Sequence, residues 1–250
     1  MSNATVVTLQ EIEPAIALIS MQERTYKNTF SEALITELIE AFRQVGDDPR
    51  YKAVILTGYD SYFASGGTQE GMLAIEAGKI QFTDLNLYSV ALECPIPVIS
   101  AMQGHGIGGG LALGLFADFI VMSRESIYTT NFMKYGFTPG MGATLIAPEK
   151  LGTVLGTEML MTAKTYRGEE LKERGVGFPV LPRAQVLPHA MELARTLAEK
   201  PRLSLTTLKH HLTASLRARL PAVIAQEVAM HDITFHQPEV KQRIASLFGK

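Results

Sequence analysis

The 250-residue chain has no tryptophan and one cysteine, Cys94. A single thiol excludes any disulfide within the chain, and its setting, VALECPIPVIS, suits a packed thiol and not a nucleophile. Neither sign of charge is in excess: 23 Lys and Arg stand against 25 Asp and Glu, a formal net charge of -2, with no basic run. That balance gives nucleic acid and anionic membrane surfaces nothing to grip, so a small molecule or a protein is the expected partner. No stretch reaches the roughly 18 apolar residues of a membrane span. The start, MSNATVVTLQEIEP, has neither an apolar leader core nor an Arg-rich amphipathic pattern, and a cytoplasmic location is expected. Repeats and low-complexity tracts are also missing, while 46% hydrophobic residues suffice for a substantial core.

What is present is a regular alternation of elements. VVTLQEI and AIALISM, separated by Pro14, suggest an opening antiparallel pair. Thr29 and Glu32 have capping-box spacing, and Leu34, Leu38, Phe42 and Val45 then mark one helical face up to Gly46-Asp47-Asp48-Pro49. KAVILTG, PVISAM and FIVMS read as buried parallel strands, with a helix expected over 84–92. Beyond Thr153 the pattern turns helical, for example over 183–199 and 222–236. The chain is therefore α/β with a helical C-terminal region, and a soft boundary falls near AEKPRLSL.

Glycine is clustered. Gly104-His105-Gly106-Ile107-Gly108-Gly109 fits G-x-G-x-x-G, the pattern of a dinucleotide-binding loop. The context disagrees: much of the sheet precedes it, and LALGLFA gives only about two helical turns before Asp118. A different use is suggested by a second glycine loop, FASGG, which like GHGIGGG follows a buried apolar strand. Two such loops can present two backbone N–H groups to one oxyanion.

FASGGTQEG, PIPVISAMQGHGIGGGLAL, ADFIVMS, KYGFTPGMGAT and AEKP resemble, in order and spacing over nearly the whole chain, the crotonase (enoyl-CoA hydratase/isomerase) superfamily. The resemblance implies a crotonase-like ββα spiral core over 1–195 and a C-terminal helical region over 196–250 that serves trimerisation and caps the active site. It also implies acyl thioester substrates, a homotrimer, and an oxyanion hole from the N–H groups of Gly67 and Gly109. Ala64, Gly66, His105, Ala112, Phe132 and Gly140 are placed at the acyl pocket by the same resemblance, His105 more readily as a structural than a catalytic residue.

The departures are informative. The two positions that carry catalytic glutamates in the hydratases hold Ala112 and Phe132 here, and neither can move a proton. An oxyanion hole without carboxylates suits a reaction that makes an enolate with no base, and loss of CO2 does so. The chain looks most like decarboxylating members of polyketide β-branching cassettes, chiefly in NFMKYGFTPGMGAT, FASGGTQEG and MHDITFH. Those members act on 3-methylglutaconyl held by an acyl carrier protein and give a 3-methylcrotonyl-type product. The resemblance gives His231 a place near the substrate carboxylate; read without it, His231 is a helix residue pairing with Glu227 one turn earlier.

The lysine this subgroup uses aligns at Gln81, with Lys79 two residues earlier. Lys79 is either its substitute or a plain surface lysine. His210, His211 and His236 read as solvated helix positions, and no carboxylate or cysteine completes a metal site with them. Glu70 stands where relatives that use CoA often carry a base, which favours a carrier-protein phosphopantetheine, with a CoA thioester as a possible surrogate. No other cofactor is expected. A double-bond isomerase and a non-catalytic carrier-protein-binding scaffold are the rival readings.

Overall fold

The computed structural model describes residues 5–84 and 86–248. Strands β1 (Val7–Glu13) and β2 (Ile16–Met21) form the expected antiparallel pair, followed by helix α1 (Glu32–Asp47). Then come β3 (Ala53–Thr57), β4 (Tyr62–Ala64) and α2 (Gln69–Glu76), and next α3 (Val90–Glu93), β5 (Val98–Met102), β6 (His105–Ile107) and α4 (Gly109–Leu115). A third turn holds β7 (Phe119–Ser123), β8 (Ile127–Thr129), a 3-10 turn over Asn131–Tyr135, α5 (Ala143–Leu151) and α6 (Thr153–Thr162). β9 (Tyr166–Arg167), α7 (Gly168–Glu173) and β10 (Val180–Leu181) complete the sheets, and α8 (Arg183–Ala198), α9 (Arg202–Thr234) and α10 (Pro238–Leu247) complete the chain. The expected division at 195/196 falls inside α8.

Each spiral turn contributes one strand to each of two sheets, ordered β1-β2-β3-β5-β7-β10 and β4-β6-β8-β9. β3, β5 and β7 are parallel and lie in the middle of the larger sheet, which is why they are almost continuously apolar. Alternate residues separate two cores. Val54, Leu56, Val98 and Met102 face the main core, whereas Ala53, Ile55, Ile99 and Ala101 meet Val186, Ala190 and Ala194 of α8 on the other face. Cys94 lies buried in the main core, and that burial pushes its thiol pKa up.

Several local expectations shift. The N-cap of α1 is Ser31, whose hydroxyl accepts from Leu34 N at 3.2 Å; Glu32 is the first helical residue, so the Thr29–Glu32 box does not form. Of the helix expected over 84–92 only Val90–Glu93 forms, and Leu85 lies outside the described residues. The separate helix expected at 222 is part of the 33-residue α9, which carries Pro221 within it.

Candidate active site

β4 and β6 are parallel neighbours, with Tyr62 opposite His105 and Ala64 opposite Gly106. Their C-terminal ends therefore release the two glycine loops side by side. Gly66 (φ +76°) and Gly108 (φ +56°) take left-handed conformations that other residues adopt only under strain. Backbone bonds fix both turns, Phe30 N to Gly66 O at 2.7 Å and Gly108 N to Thr129 O at 2.8 Å. The loops touch: a Cβ on Gly66 would lie 2.9 Å from Ile107 O and 3.5 Å from Gly109 N. Among the described residues neither Gly67 N–H nor Gly109 N–H donates to a neighbouring carbonyl. Both are free for a ligand, and Gly109 also opens α4, whose N-terminus adds positive potential.

These glycines line a cavity of about 260 Å³. Its walls are largely hydrophobic, with Met72, Leu87, Phe132, Phe137, Met141 and Phe235 among them. Asp84 is the one carboxylate among the described lining residues; it is exposed, and its Oδ2 accepts the Gln81 N–H at 2.8 Å.

His231 enters from α9 and is 7% exposed. Its ring is held by Phe82, Phe137 and Phe235, with centroids 5.1, 6.0 and 5.1 Å away. Nε2 lies 2.8 Å from Thr138 O; a carbonyl only accepts, so Nε2 carries a proton. Burial lowers the His231 pKa, opposed by the backbone acceptors of Thr138 and Pro139 and by Asp232, and the net direction is down. The ring abuts Gly140, where a Cβ would lie 2.9 Å from Cε1 and 3.1 Å from Nε2.

The pairing of Glu227 with His231 is absent; Glu227 instead accepts from Gly142 N (2.7 Å), Thr144 N (2.9 Å) and Thr144 Oγ1 (2.6 Å). It thus fastens α9 to the loop that brings Gly140 and Met141 to the cavity, an arrangement no local sequence signal gives away. Burial drives the Glu227 pKa up, with these hydrogen bonds pulling the other way.

The structure brings Gly66, Gly67, Gly109, Phe132, Gly140 and His231 together around the cavity. Ala64 and Ala112 are buried beside it and do not line it. Ala112 faces the core because α4 is wholly buried. His105 does not line it either, since its Nδ1 accepts Ile127 N–H at 3.1 Å in the β6–β8 layer. Lys79 is exposed and outside the cavity, whereas Gln81 lines it. Phe30, Phe82, Tyr135, Phe137 and Phe235 are further wall residues that the sequence did not single out. Among the described residues no cluster of His, Cys, Asp and Glu could hold a metal ion, and no helix is long and apolar enough to cross a membrane.

Known proteins share this fold and much of this sequence. The chain is 64% identical over 245 residues to Bacillaene synthase decarboxylase PksI of Bacillus subtilis (strain 168), covering 98% of both chains. A solved structure from a dehydratase/decarboxylase enzyme couple involved in polyketide β-branching superposes with a TM-score of 0.97 at 64% identity, covering 98% of this chain and 100% of that one. The ECH2 decarboxylase domain of CurF from Lyngbya majuscula gives 0.94 at 46% identity, with 98% and 100% covered. The enoyl-CoA hydratase/isomerase family model matches residues 11–248. With that match over nearly all of its length, the chain belongs to the enoyl-CoA hydratase/isomerase family.

Proposed function

We propose that this protein removes CO2 from 3-methylglutaconyl carried as a thioester on the phosphopantetheine of an acyl carrier protein, giving a 3-methylcrotonyl-type product in polyketide β-branching. The observation that carries the reading is one cavity with two unused N–H groups, Gly67 and Gly109, facing a largely hydrophobic wall that includes Phe132. The relatives named above, PksI and the CurF domain, are decarboxylases, which supports the same chemistry.

The two N–H groups bind the thioester oxygen. The bond to the carboxylate carbon breaks, its electron pair passes into the conjugated acyl group as a dienolate, CO2 leaves, and one carbon then takes a proton. Donors already aimed at the developing oxyanion lower this barrier, each worth about 10²–10³ in turnover. The hydrophobic wall raises the energy of the ionised substrate carboxylate relative to neutral CO2, which favours its loss. His231 is the nearby side chain that can orient the carboxylate or return the proton. The protein acts without a resident cofactor, as a cytoplasmic homotrimer; exposed Leu208 and Leu212 on α9 and Val154 and Met161 on α6 offer apolar surface for that assembly.

The test is intact mass spectrometry of the loaded carrier protein with and without this protein. Loss of the mass of CO2 is expected. An unchanged mass with a shifted double bond would make it an isomerase, and an unchanged acyl group with carrier protein bound would make it a scaffold.

A further inference from the structure

A second cleft adjoins the acyl cavity at His231. Its volume is about 240 Å³, and Ile75, Ile80, Gln81, Phe82 and His231 line both it and the acyl cavity. Gly78, Val228, Asp232 and His236 line the second cleft alone. The imidazole of His231 is therefore part of the wall between a largely hydrophobic chamber and a cleft with two more ionisable side chains.

His236 is anchored by one ring nitrogen. Its Nδ1 lies 2.7 Å from the carbonyl oxygen of Glu76, and a carbonyl only accepts, so Nδ1 donates a proton there. Asp232 and His236 are both exposed and exchange with bulk water. Both act on His231: Asp232 favours its protonated form and His236 disfavours it. The other titratable groups around it are Glu227 on α9, Glu76, Lys79 and Asp84 on the facing 75–84 segment, and Tyr135 across the cavity.

A decarboxylation draws one proton from solvent, and the ionisable groups lining the acyl side among the described residues are weakly placed to give it: Asp84 Oδ2 accepts the Gln81 N–H, and burial pushes the Tyr135 phenol pKa up. Neutral imidazole can release its Nε2 proton only if the other ring nitrogen gains one, because imidazolate is far too basic to form near neutral pH. A donor on the far side of the ring is therefore required.

We propose that the second cleft is the proton port of the acyl cavity: water held by Asp232 and His236 passes a proton to the His231 ring, which passes one to the dienolate carbon. This rests on the decarboxylase reading. The balance closes: His231 takes one proton from solvent at Nδ1 and gives one to the carbon, and exchange with solvent returns the ring to the Nε2–H tautomer that Thr138 O accepts.

The experiment uses the full chain with Asp232→Asn and His236→Gln. In NMR titrations of ¹⁵N-histidine-labelled protein, the His231 midpoint is expected to fall in Asp232→Asn and rise in His236→Gln. Turnover of 3-methylglutaconyl carrier protein is expected to fall about tenfold in each with KM unchanged, and added imidazole to restore His236→Gln, as for a lost acid–base partner. A purely structural role would give no such rescue. Wild-type turnover in both variants, or a loss that imidazole leaves in place, overturns the port. Wild-type protein that releases no CO2 is a distinguishable result: it removes the decarboxylase reading and the proton demand together.

Discussion

Lys209 Nζ lies 2.7 Å from Asp118 Oδ2, and the lysine side chain is 3% exposed. The ammonium also donates to Ala91 O at 2.9 Å and Ile96 O at 3.0 Å, so all three of its donors are used. Asp118 in turn accepts Val98 N–H at 2.8 Å. This set ties α9, which carries His231, to the start of β5 and the approach to β7. The strand leading toward the second glycine loop and the helix bearing the histidine are thereby held to one frame.

Replacing Lys209 by Met should therefore destabilise the protein by up to about 3–5 kcal/mol, because it leaves the partly buried Asp118 carboxylate, 17% exposed, without its ion-pair partner. Asp118→Asn combined with Lys209→Met should cost less than the sum of the single changes, since no charge is then stranded. Denaturant unfolding of the four proteins measures the difference.

Gly109 and Gly110 are adjacent and should respond differently. A Cβ on Gly109 would meet side-chain atoms, Phe30 Cε2 at 3.0 Å and Met141 Cε and Cγ at 3.3 Å, which can move. A Cβ on Gly110 would overlap the backbone carbonyl of Ala64, which is fixed in β4. Gly109→Val should fold and lose on the order of 10²–10³ in turnover by spoiling one oxyanion donor. Gly110→Val should fail to fold; circular dichroism and the decarboxylation assay separate the two.

The sequence made the glycine loops legible because backbone approach demands glycine, and the buried strands legible because parallel sheet covered on both faces must be apolar. His231 was found through the family resemblance alone, and nothing local distinguishes it from His236 five residues on. Lys209 was invisible: in LTTLKHHL a lysine followed by two histidines looks solvated, and only the packing of α9 against Ala91 and Ile96 buries it. Lys79 shows the same limit in reverse. Proximity along the chain suggested a substitute for the residue aligned at Gln81, but the turn after α2 leaves Lys79 exposed and sets Gln81 in the wall.

Phe132 and Ala112 stand where the resemblance puts the glutamates of the hydratases, and of the two only Phe132 lines the cavity. Phe132→Glu should give a folded protein with at least tenfold lower CO2 release, since a fixed negative charge would oppose a second one on the substrate at short range. Ala112→Glu places a carboxylate in the core of α4, where Ala112 is 1% exposed, and should lower stability by several kcal/mol. Thermal unfolding alongside the carrier-protein assay distinguishes lost chemistry from a lost fold.

Acid should weaken the fold through two histidines. Burial, with the charges of Arg183 and Arg167, holds His105 below its ordinary pKa, and burial holds His231 down as well. Unfolded histidine titrates near about 6.5. Above that pH neither state takes up protons at these sites; below it the unfolded chain binds protons that the folded one refuses, so stability falls with falling pH until the folded pKa values are passed. His105 has a structural reason to stay neutral, because its Nδ1 accepts Ile127 N–H. His105→Asn offers Oδ1 as an acceptor in the same place without a titrating group. Its stability near pH 7.5 should stay close to wild type, and its loss of stability between about pH 6.5 and 5 should be shallower, as read from denaturant midpoints across that range. An unchanged slope would mean that His105 protonates as readily in the folded protein as in the unfolded chain.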